Sequence, residues 1–78
     1  MPEEYSAFFS SKAEDLITAL RSGGLADDAI LRLCRDMDLA AMRSVELDEI
    51  QRLILDGILN FSPRLRSDVI ATAAHLLG

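Results

Sequence analysis

Apolar residues recur at three- and four-residue intervals along most of the chain, and Gly, Ser and Pro marks between the runs cut it into stretches of helical length. The first stretch carries Tyr5, Phe8, Phe9, Ala13, Leu16, Ile17 and Leu20 on one face. Pro2 suits a first helical position, and Glu3 and Glu4 sit at the favourable end of the helix dipole. Ser11-Lys12-Ala13-Glu14 has the form of a capping box and offers a later start. The unbroken stripe favours one long helix instead. Gly23, free to take the left-handed conformation, is expected to end it.

In the second stretch the inward stripe reads Ala26, Ile30, Leu33, Cys34, Met37 and Ala41, with Asp36-Met37-Asp38 as a possible kink or break. Ser44 is the expected N-cap of the third, whose stripe reads Leu47, Ile50, Leu53, Ile54 and Ile58. Leu55 and Leu59 fall off that stripe, which makes this helix apolar on more than one face. Such a helix is central or shared with a partner. Gly57, costing about 1 kcal/mol relative to alanine inside a helix, suggests close approach of another helix. Ser62-Pro63 is a strong helix start, and Leu65, Val69, Ala73 and Leu76, with Ile70 and Leu77 beside them, form the last stripe. The expectation is an all-α single domain over residues 1–78, a compact bundle of about four helices at about 3–21, 26–42, 45–59 and 63–77. No alternating β-branched run competes.

Composition adds a tension. A domain of 78 residues buries only about 60% of its unfolded surface, yet 50% of these residues are apolar. Some apolar surface is then expected to be covered by a second chain, and a dimer is expected.

The formal charge of −5 argues against nucleic-acid binding, which draws on Lys and Arg against phosphates. Acidity concentrates in the first half, where residues 1–40 hold eight acids and four bases. A lone cysteine, Cys34, makes no internal disulfide, the acidic start is unlike a secretory signal, and no apolar run reaches the roughly 18 residues of a membrane span. A cytoplasmic protein is expected. Seven arginines against one lysine fit a GC-rich bacterial genome.

Candidate chemistry is sparse. His75 stands three residues from the last position, a poor place to preorganise a base, and fits the negative end of its helix better. Cys34 lies on an inward stripe as a structural thiol. One Cys and one His far apart give no metal spacing, and no glycine-rich phosphate loop is present. The carboxylate pairs splay about 100° apart on a helix, and three of the clusters open helices, where they serve the dipole. No catalytic residue, metal or cofactor is therefore expected. Arg64 and Arg66 stand at the unfavourable end of their helix, and an ion pair is the expected reason, ahead of a bound anion.

A four-helix acidic domain of this length also resembles acyl carrier proteins, whose modified serine stands in an Asp-Ser-Leu type motif at a helix start. Here Ser44 follows Arg43 and precedes Val45, and N-capping is the preferred role for it.

The function expected is that of a small interaction module, a regulatory antagonist or chaperone-like adaptor, binding another protein and its own copy through surplus apolar residues. Phe8, Phe9, Leu55 and Leu59 are the expected partner-binding positions. The alternative is an acidic inhibitor or immunity-type protein covering a basic surface with Glu14, Asp15, Asp27, Asp28, Asp36 and Asp38. A helix-turn-helix role is disfavoured by the lack of a basic recognition helix.

Overall fold

A computed structural model describes the backbone of residues 3–78 and the side chains from Ala7 onward. The expected roles of Pro2 and Tyr5, and of the Glu3 and Glu4 side chains, lie outside the described residues. The described chain is all-helical: α1 Glu3–Ser22, α2 Asp27–Asp36, α3 Leu39–Arg43, α4 Glu49–Leu59 and α5 Pro63–Leu77. Helix α1 runs through Ser11 without a break, as its stripe requires.

Five helices arise where four were expected, because the second stretch breaks at Met37. The Met37 and Asp38 N–H groups donate to the carbonyls of Cys34 and Leu33, at 3.3 and 3.1 Å. Met37 takes φ 51°, the left-handed conformation of a helix C-cap. A side chain there is strained, and Met37 turns outward rather than continuing the inward stripe. Asp38 then restarts the helix, its carboxylate accepting from the Ala41 N–H at 3.1 Å.

Two other boundaries differ. Gly24, with φ 93°, takes the left-handed position expected of Gly23. Leu25 N–H donates to the Leu20 carbonyl at 3.4 Å and Gly24 N–H to that of Arg21 at 2.9 Å, which closes α1. Ser44 ends α3 instead of starting α4: its hydroxyl donates to the Ala41 carbonyl at 2.8 Å. The α4 N-cap is Asp48, accepting from the Gln51 N–H at 2.8 Å. Ser62-Pro63 does open α5, Pro63 filling the first helical position.

Helix α5 packs on α1 and α2, and α1 packs on α4. One buried cluster joins all five helices, among it Leu16 and Leu20, Ile30 and Cys34, Met42, Leu55 and Leu59, and Val69 and Ile70. The radius of gyration is 11.5 Å, the value of about 11.5 Å expected for a compact chain of this length. The accessible surface, 4815 Å², is close to the roughly 4,700 Å² expected of a monomer of this mass. One copy thus closes a core. Among the described residues no helix is long and apolar enough to cross a membrane.

Candidate interaction surface

Helix α4 has apolar residues on two sides, and its neighbours select one. At 100° per residue, Leu55, Ile58 and Leu59 share one arc, and it is this arc that faces the core. Ile50, Leu53, Ile54 and Gly57 share a second arc about 100° wide, centred about 140° away. Ile50 remains 70% exposed and Leu53 68%, with Ile54 at 36%. The stripe expected to face inward is therefore corrected: apart from Ile58 and the half-buried Leu47, its members face solvent.

The partner-binding positions named from the sequence separate accordingly. Leu55 and Leu59 have no exposed surface and Phe9 very little, so these three belong to the core. Phe8 is 36% exposed and sits at the edge of the outer α4 face. Its ring packs 5.6 Å from that of Phe9 and 6.2 Å from that of Phe61, and Lys12 Nζ lies 6.0 Å from its centre. Ile50, Leu53 and Ile54 are the exposed residues that sequence reasoning assigned to the core. Their signal was present in the second arc, but periodicity alone does not rank two arcs.

Between α1 and α4 the surface dips into a hollow of about 250 Å³, lined by Lys12, Asp15, Leu53, Ile54, Gly57 and Phe61. Gly57 is part of its lining, and a Cβ there would meet nothing within 4 Å. The expected close approach at Gly57 is therefore not made within the chain. Lys12 Nζ and Asp15 Oδ2 stand 4.0 Å apart at its rim.

The arginines are used structurally. Arg66 and Arg43 both donate to the Leu59 carbonyl at 3.3 Å, capping the C-terminus of α4. Arg52 donates to the carbonyls of Arg43 and Val45 and, at 3.4 Å, to Asp56, tying the α3–α4 connection onto α4. The ion pair expected at Arg64 and Arg66 does not form among the described residues. Arg64 instead borders an open groove of about 480 Å³ between α1 and α5, with Ser10, Asp68, Thr72 and His75. Among the described residues no three His, Cys, Asp or Glu side chains converge as a metal site would need.

No family model, curated protein or solved structure matches the chain.

The acids are largely spent on local structure. Asp27 holds Arg21 through two hydrogen bonds of 2.8 and 2.7 Å, and that guanidinium holds the carboxyl below its usual range. Asp38 caps α3, Asp28 accepts from the Ala29 N–H at 3.0 Å, and Asp15 faces Lys12. Of the six acids considered for an inhibitor surface, Glu14 and Asp36 are left to solvent.

Burial pushes the Cys34 thiol up to about 11. Two results should follow. Iodoacetamide at pH 8 should leave Cys34 unmodified in the folded protein and label it in denaturant, read by mass spectrometry. The raised value favours the protonated fold, so this contribution to stability is complete below the ordinary thiol value of 9.0 and is lost as pH rises through about 11. Rapid labelling of the native protein at pH 8 would show that the thiol is reachable.

Proposed function

We propose that this chain is a small non-enzymatic protein-interaction module, a regulatory antagonist or chaperone-like adaptor, that docks a protein on the outer face of α4 with Phe8 and Phe61 at its edge. One observation carries the reading. Ile50 and Leu53, large aliphatic residues in one arc of a well-capped helix, are 70% and 68% exposed in a fold whose total surface is already that of a closed monomer. The exposure is thus not a sign of an unfinished core. Ile50, Leu53, Ile54 and Phe8 together leave roughly 400 Å² exposed, the size of the largest apolar patch on an ordinary monomer, which is often functional.

The acidic-inhibitor reading draws less support, because four of its six residues are already engaged within the chain. Salt separates the two: binding on the α4 face should change little from 50 to 500 mM NaCl, whereas steering by carboxylates should weaken steeply. The test is co-purification with the tagged chain and with its Ile50→Lys/Leu53→Lys variant. Proteins retained by the first and lost by the second support the module. Retention that ignores the substitutions, or depends on Glu14 and Asp36, overturns it.

A further inference from the structure

Among the described residues other than glycine, Met37 alone has a positive φ, at 51°. A Cβ in this region crowds the following carbonyl oxygen and disfavours the conformation about 5- to 30-fold. Helices that end this way mostly carry glycine or asparagine at the position. Core packing does not offset the strain, because Met37 is 40% exposed and stands outside the buried cluster. The apolar contact that often accompanies this kind of cap is made by the next residue, which here is Asp38. The corner itself is held by backbone groups: the Met37 and Asp38 N–H groups donate to Cys34 and Leu33, and the Met37 carbonyl accepts from the Leu39 N–H at 2.9 Å. What the side chain adds at this position is an outward-turned thioether.

Sulfur stands at three described positions, Cys34, Met37 and Met42, and the fold treats them unequally. Cys34 is buried, and with its thiol pushed up to about 11 it holds almost no thiolate at neutral pH. Met42 has no exposed surface. A thioether has no proton to lose before it reacts, so access alone separates Met42 from Met37. Asp36 and Asp38, on either side of Met37, are exposed as well, which leaves the corner between α2 and α3 open to solvent.

We propose that Met37 is a reversible oxidation site, which takes one oxygen atom from a peroxide while the fold stays intact. A lone pair of the sulfur attacks one peroxide oxygen, the S–O bond forms as the O–O bond breaks, and the proton of the transferred oxygen passes to the departing hydroxide, which leaves as water. Sulfur loses two electrons and the peroxide gains them. A sulfoxide is polar and disrupts an apolar core, but at Met37 it stands at the surface. The same exposure admits a methionine sulfoxide reductase. There a dithiol becomes a disulfide, the oxygen leaves as water and the thioether returns.

The folded chain, treated with hydrogen peroxide at neutral pH and mapped peptide by peptide in a mass spectrometer, should gain oxygen at Met37 about tenfold or more faster than at Met42, and the two rates should converge in denaturant. The melting temperature of the oxidised protein should stay within about 2 °C of the starting value, because the modified atom lies outside the core. Methionine sulfoxide reductases for both epimers, with dithiothreitol, should remove the oxygen from the folded protein. Met37→Leu should abolish the fast uptake and leave the slow reaction of Met42 as it was. Met37→Gly, which relieves the left-handed strain, should raise the melting temperature by about 4–8 °C. Oxidation of Met37 as slow as that of Met42, unfolding of the chain on oxidation, or a sulfoxide that the reductases cannot reach overturns the proposal. A fall in melting temperature for Met37→Gly overturns it too, since the side chain would then be held for packing.

Discussion

Leu55→Ala is expected to cost about 2–5 kcal/mol, whereas Leu53→Ala, two positions away on the same helix, should change monomer stability by less than about 0.5 kcal/mol. Leu55 has no exposed surface and sits in the cluster shared by all five helices, so its truncation leaves a cavity that rigid neighbours fill only partly. For a chain of 78 residues the whole stability is on the order of 4–12 kcal/mol, and the loss takes a large part of it. Urea denaturation followed at 222 nm measures both. Equal effects at the two positions, or a larger one at Leu53, would show that α4 is turned the other way.

A second large effect should come from a methyl group at Gly23. A Cβ there would overlap Val45 Cγ1, lie 2.9 Å from Leu47 Cδ2 and 3.3 Å from the Glu46 carbonyl oxygen. Val45 is stiff at its branched carbon and cannot simply swing away, so the α3–α4 connection must shift. Gly23→Ala should cost about 1–3 kcal/mol. In a Val45→Ala background most of that cost should vanish, because the overlapping methyl is gone. Additive losses in the double variant would point to backbone entropy instead. At Gly24 the reason for glycine differs: space is open around it, and φ 93° is what excludes a side chain.

Much of this fold is legible in the residues. The long α1 stripe, the Ser62-Pro63 start and the weak point at Asp36-Met37-Asp38 each carry a local signal strong enough to act without tertiary help. Ser44 and Asp48 show where local signals run out. Both are capping residues ahead of an apolar run, and acids at Glu46, Asp48 and Glu49 suit either start. Arg52, reaching back to the Arg43 and Val45 carbonyls, belongs to the folded connection and has no mark in the sequence. The α4 face is the sharper case. Its periodicity supports two arcs, and only the packing of α1 against Leu55, Ile58 and Leu59 turns the other arc outward. Gly57 was the best clue, since it asks for a close neighbour and the chain supplies none.

The most extensive packing joins α1 to α5, the helices furthest apart in sequence. Contacts of such long separation are rare in helical bundles, which usually fold fast because their partners are adjacent. Here Leu16 and Leu20 wait for Val69, Ile70 and Ala73, some fifty residues later. During synthesis α1 therefore emerges with its apolar face open; α2 and α4 can cover part of it, and the rest stays open until α5 has been made. At about 5–20 residues per second that interval lasts several seconds. The outer face of α4 leaves the ribosome before α5 does, so it is presented while the core is still incomplete.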